Sequence, residues 1–148
     1  MLLPLLSLVS TLLTFGAIGG VSDSWSNPLS SLRGVIRADG PSLGLAPFNV
    51  PGALANPVLT LYTQDGLPIA SNTGWGNAPT SGSGATSQMV IQPLTAASLS
   101  AKVGAFAIPA GSADSAMVVT LPPGNYTAEV SGLNNTTGIA LVEIYELR

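Results

Sequence analysis

Seven carboxylates and four cations are nearly all the ionisable chemistry in this 148-residue chain, which contains neither histidine nor cysteine. That absence excludes a Ser-His-Asp triad, a cysteine nucleophile, a disulfide, and any zinc, haem or iron–sulfur site built from those ligands. The carboxylates are Asp23, Asp39, Asp65, Asp114, Glu129, Glu143 and Glu146. Asp39, Asp65 and Asp114 stand beside Gly or Ser in turn-like contexts, where an aspartate commonly caps its own backbone. Glu143 and Glu146 are three residues apart, so on a strand they face opposite sides and make no glycosidase pair. Arg33 and Arg37 share one face of a strand with Asp39 close by. This reads as a local charge cluster masking a sheet edge, with a small anionic-ligand site as the second reading. The Gly74–Gly84 stretch lacks the phosphate-cradling pattern that ends in Gly-Lys-Ser/Thr. Trp25 and Trp75 lie in loop-like sequence and are the candidate ligand-binding residues. With Tyr62 and Tyr126 they could offer a surface on which sugars stack. Tyr126, following Pro-Pro-Gly, reads instead as a core residue whose hydroxyl bonds a nearby backbone group. No enzyme activity, catalytic residue, metal or cofactor is expected.

The elements that would position these residues are short strands. Charged residues are 7% of the chain, against about 25% in an average globular protein. Four scattered cations cannot neutralise a run of phosphates, so nucleic acid is not an expected partner. Gly, Pro, Ser and Thr are plentiful and good helix formers scarce, while Val, Leu and Ile suffice for a core. The spacing predicts strands at Leu32–Arg37, Val58–Thr63, Leu67–Ser71, Ser115–Leu121, Tyr126–Ser131 and Ile139–Leu147, with Asp65-Gly66 turning a hairpin. A short helix is allowed around Leu94–Val103. The expected fold is all-β: an antiparallel β-sandwich, jelly-roll-like, of roughly seven to nine strands.

The N-terminus divides from this body. Residues 1–15 form an apolar strand or assembly segment, residues 16–31 a polar linker, and residues 32–148 the sandwich. The apolar run is shorter than the roughly 20 residues of a membrane-crossing helix, so no transmembrane anchor is expected. The first basic residue is Arg33, so the basic region of a secretory signal is missing and the segment is expected to be retained. Leu2, Leu3, Leu5, Leu6, Leu8, Val9, Leu12, Leu13 and Phe15 are its candidate assembly residues. Burying about six such side chains is worth on the order of 10 kcal/mol, enough to hold the segment in its own sheet or in a neighbour's.

Five blocks carry a resemblance. They are R-G-V-I-R-A-D-G-P-S-L at Arg33–Leu43, N-P-V-L-T-L-Y at Asn56–Tyr62, I-A-S-N ending at Asn72, V-G-A-F-A-I-P-A-G-S at Val103–Ser112, and L-P-P-G-N-Y-T-A-E-V-S-G through I-A-L-V-E-I-Y-E-L at Leu121–Leu147. In this order they resemble small β-sandwich accessory domains of large secreted bacterial proteins, which are similar to pre-peptidase C-terminal-type domains. The resemblance implies a secreted module without catalysis of its own. The loop Asn72–Asn77 has no carboxylate, so a calcium site of the kind some such domains carry is not expected there. The leading expectation is an extracellular or cell-surface structural protein that assembles with copies of itself into a filament or layer by strand complementation. The alternative is a monomeric binding module for carbohydrate or another surface polymer.

Overall fold

The computed structural model describes residues 12–15, 21–27, 31–95 and 104–147. They fold into two antiparallel sheets: the chain is all-β. The strands are β1 (Leu12–Phe15), β2 (Val21–Asn27), β3 (Leu32–Asp39), β4 (Pro57–Thr63), β5 (Pro68–Asn72), β6 (Thr80–Ser81), β7 (Val90–Pro93), β8 (Ser115–Leu121), β9 (Gly124–Gly132) and β10 (Gly138–Glu146). Among the described residues, sheet A runs β1-β10-β3-β8-β7 and sheet B runs β2-β9-β4-β5-β6.

Side-chain alternation explains the layering. In β9, Tyr126, Ala128 and Val130 are buried while Thr127, Glu129 and Ser131 are only partly so. β4 alternates likewise, so sheet B presents one face to the core. The core between the sheets gathers Ile36, Met117, Val119 and Val142 of sheet A against Leu59, Leu61, Ile69, Ala128 and Val130 of sheet B. β8 reads Ser-Ala-Met-Val-Val-Thr-Leu without alternation because both its faces are covered. Its outer face joins Val35, Leu94, Ile108, Ala116 and Val118 in a second apolar cluster. The Asp65-Gly66 hairpin forms as expected, with Gly66 at φ +78° and its N–H donating to the Thr63 carbonyl at 3.0 Å.

Among the described residues ten strands form, and the ones not expected from the sequence escaped for identifiable reasons. β2 lies inside the segment read as a polar linker, where Ser, Asp and Asn hide a strand that pairs with β9 along its whole length. β6 has two residues, and β7 is a four-residue edge strand. The helix allowed around Leu94–Val103 falls mostly outside the described residues. Among the described residues no helix is long and apolar enough to cross a membrane.

Candidate functional site

Chemistry-bearing residues collect in three places: the N-terminal arm, the tryptophan positions, and a buried polar cluster on the outer face of sheet A.

The arm bridges both sheets. β1 pairs antiparallel with β10, placing Leu12 opposite Leu141 and Phe15 opposite Gly138. β2 then pairs with β9, from Val21 opposite Val130 to Asn27 opposite Gly124. One stretch of chain thus supplies one of the two edge strands of sheet A and one of the two of sheet B. Of the candidate assembly residues, Leu12, Leu13 and Phe15 lie in β1. Leu2, Leu3, Leu5, Leu6, Leu8 and Val9 lie outside the described residues.

The two tryptophans are not neighbours. Trp25 is in β2, not a loop, with its Cα opposite Tyr126, which in turn lies opposite Thr63 at the end of β4. Trp75 follows β5, beyond the level of Leu59. Trp25 lies on β2 at one edge of sheet B, whereas Trp75, in the loop after β5, packs against the outer apolar cluster of sheet A. Trp75 staples loops together: its N–H donates to the Asp114 carbonyl at 2.7 Å, and its indole Nε1 donates to the Pro109 carbonyl at 3.1 Å. Beside it, Gly74, Gly76, Asn77, Ala110, Gly111 and Ser112 help line an open cleft of about 370 Å³. Tyr126 is buried, and its hydroxyl donates to the Pro122 carbonyl at 2.8 Å, as its place after Pro-Pro-Gly suggests.

The Arg-Asp cluster is where the structure corrects the sequence reading. β3 is the middle strand of sheet A, so Arg37 and Asp39 mask no edge; both are 0% exposed, while Arg33 is exposed. Alternation sends Val35, Arg37 and Asp39 to the face opposite Ile36 and Ala38. Across the ladder, Glu143 of β10 lies opposite Arg37. The Arg37 guanidinium donates to Asp39 Oδ1 from Nη2 at 2.9 Å and from Nε at 3.3 Å. Its Nη1 donates to the Phe106 carbonyl at 2.8 Å, and the Phe106 ring covers it, with its centroid 4.4 Å from Cζ. Glu143 Oε2 approaches Arg37 Nε at 3.4 Å, and the Tyr145 hydroxyl donates to Glu143 Oε1 at 2.7 Å. Burial pushes the Asp39 carboxyl well above the usual carboxylate range; the Arg37 charge opposes this and the Glu143 charge reinforces it. Burial, with the bond to Glu143, also raises the Tyr145 phenol. The signal for this grouping was two i, i+2 pairs, Arg37/Asp39 and Glu143/Tyr145, each on one face of a strand. Sequence alone could not say that the strands were neighbours.

Asp114 caps a turn far along the chain, not its own backbone. It is buried, and its Oδ1 accepts from the Gly40 N–H at 2.7 Å, the Ser42 N–H at 3.2 Å and the Ser42 hydroxyl at 3.0 Å. Ser112 donates to its Oδ2. Together these bonds hold the 3-10 turn Pro41–Gly44. Gly40 is required there, since a Cβ would lie 2.2 Å from the Leu54 carbonyl oxygen. Asn72 joins the sheets: Oδ1 accepts from the Ala116 N–H at 3.1 Å, and Nδ2 donates to the Asn77 carbonyl at 3.0 Å. Among the described residues no three acidic side chains gather to hold a metal ion.

No family model, no curated protein and no solved structure matches the chain.

Proposed function

We propose that the chain is a secreted, non-enzymatic structural module, jelly-roll-like in its folding, that assembles with copies of itself into an extracellular filament or surface layer through its N-terminal arm. The carrying observation is that this one arm contributes an edge strand to each sheet. An arm that completes two sheets in its own chain offers the same pairing to a neighbour's β10 and β9, and head-to-tail exchange of this kind builds open fibres unless it closes into a ring. The tether sets the geometry. Five residues, 16–20, separate Phe15 from Val21. They span at most about 20 Å. If residues 1–15 alone are donated, the end of the neighbour's β10 that receives Phe15 must lie within about 20 Å of the start of the donor's β2. The low charge also favours assembly, because few like charges hold copies apart.

Negative-stain electron microscopy of the full-length protein tests the reading, with removal of residues 1–15 as its partner experiment. Regular fibres that become folded monomers on truncation are the expected result. Uniform small particles for the full-length chain refute it.

The cleft beside Trp75 favours a second reading, a monomeric module for carbohydrate or a surface polymer. Its test is glycan binding that disappears in Trp75→Ala while the fold persists.

A further inference from the structure

Among the described residues two buried side-chain oxygens have no hydrogen-bond partner: Asp39 Oδ2 and Glu143 Oε2, the latter with only the 3.4 Å approach of Arg37 Nε. Leaving two buried carboxylate oxygens unmatched is costly, and leaving them next to each other with like charge is more so. The remaining atoms of the cluster are committed. Asp39 Oδ1 takes the Arg37 fork, Glu143 Oε1 takes the Tyr145 hydroxyl, and the third Arg37 nitrogen is bound to the Phe106 carbonyl. The two carboxyl groups converge on one nitrogen: Asp39 Oδ1 lies 3.3 Å and Glu143 Oε2 3.4 Å from Arg37 Nε. One hydrogen placed between the two orphaned oxygens would satisfy both at once.

We propose that Asp39 is a buried, protonated acid that donates from Oδ2 to Glu143 Oε2, so that the pair holds one proton and the Arg37–Asp39–Glu143 cluster is electrically neutral. The arithmetic of charge supports this. With both carboxylates ionised, one guanidinium faces two negative charges. With Asp39 protonated, Arg37 balances Glu143 alone. The groups facing the pair are Arg37 from β3, Tyr145 from β10, and the ring and carbonyl of Phe106 from the covering segment. β8 contributes Ala116 opposite Arg37, which brings no charge. Among the described residues the other cation, Arg33, is exposed.

The consequence is a pH-sensitive seam. Asp39's folded value lies above its unfolded one, so the stabilisation is complete below the ordinary aspartate pKa, about 3.9, and is lost as pH rises towards the folded value. Over that interval one proton distinguishes the folded from the unfolded chain, and the folding constant falls about tenfold per pH unit. The seam joins β3 to β10, the strand that also carries β1.

Carbon-13 NMR of the full-length protein, with the aspartate carboxyl carbons labelled, tests this directly. The Asp39 resonance is expected to keep its protonated position at pH 6, where an ordinary aspartate is more than 99% ionised. In Glu143→Gln the Asp39 midpoint should fall by more than one unit, because Arg37 then serves one carboxylate only. In Asp39→Asn, whose amide donates permanently to Glu143, the tenfold-per-unit dependence should vanish with the fold kept. An Asp39 resonance in its ionised position at pH 6, or a midpoint unmoved in Glu143→Gln, would overturn the assignment.

Discussion

Arg37→Met is the perturbation that reads most directly on the interior of this protein. The guanidinium is fully buried, bonds Asp39 through two nitrogens, holds the Phe106 carbonyl at 2.8 Å and lies under the Phe106 ring. Methionine fills part of the volume but supplies no charge and no donor. Asp39 and Glu143 are left facing each other without a cation, and the Phe106 carbonyl loses its bond. Removing one partner of a buried ion pair costs about 3–5 kcal/mol. A chain of this length unfolds with roughly 7–20 kcal/mol at 0.05–0.15 kcal/mol per residue, so the loss is a large share of the total. At about 2–4 °C per kcal/mol the midpoint should fall by roughly 6–20 °C. Urea unfolding of the full-length protein, followed by tryptophan fluorescence at pH 7 and pH 4, measures the free-energy loss, and thermal unfolding the midpoint. The deficit should shrink at pH 4, where protonation relieves the uncompensated carboxylates. The triple variant Arg37→Met, Asp39→Asn, Glu143→Gln should recover most of the loss at pH 7, since no unpaired charge remains. A single-variant loss below about 1 kcal/mol, or one equal at both pH values, refutes the claim that this cluster's charges depend on one another.

Other positions give independent tests. Asp114→Ala removes the acceptor of four hydrogen bonds and strands the buried Gly40 and Ser42 N–H groups, so a loss of about 3–5 kcal/mol is expected in the same urea assay. Asp114→Asn, which keeps an acceptor oxygen, should cost less. Gly138→Ala would place a Cβ 2.6 Å from the Leu54 Cα, a backbone atom that cannot turn aside, and should cost about 1–3 kcal/mol. Tyr145→Phe deletes the donor to Glu143 Oε1 and should cost roughly 1 kcal/mol by chemical denaturation. Because the phenol's folded pKa is raised, that variant should also lose less stability than the parent as pH rises past about 10, the ordinary tyrosine value.

The fold was largely legible because period-2 alternation in Tyr126–Ser131 and Val58–Thr63 is a local property, as is the turn chemistry of Asp65-Gly66 and Pro-Pro-Gly. β2 was not legible, because Val-Ser-Asp-Ser-Trp-Ser-Asn has the composition of a loop. What makes it a strand is the β9 edge waiting at a distance in sequence. The Arg37 cluster failed for the same reason. Its two strands are more than 100 residues apart in the chain and adjacent in the sheet. A charged residue on a middle strand is also against the usual distribution, so an edge was the natural place to expect it. Asp114 was placed in a turn by its neighbours, but three of its four bonds come from residues more than 70 positions away.

Two of the quoted sequence blocks acquire a common explanation from these contacts. In Arg-Ala-Asp-Gly-Pro-Ser, Arg37 and Asp39 pair under Phe106, Gly40 admits the Leu54 carbonyl, Pro41 starts the 3-10 turn, and Ser42 bonds Asp114. In Ile-Ala-Ser-Asn, Asn72 ties β5 to the start of β8. Ser115 adds a second tie between the sheets, its hydroxyl donating to the Pro57 carbonyl at 2.6 Å. Residue types that in another setting would suggest an acid, a metal ligand or a sugar platform here connect segments to one another. If the proposed assembly holds, removal of the N-terminal arm, which closes one edge of each sheet, should abolish it, whereas changes in the buried cluster should alter only stability.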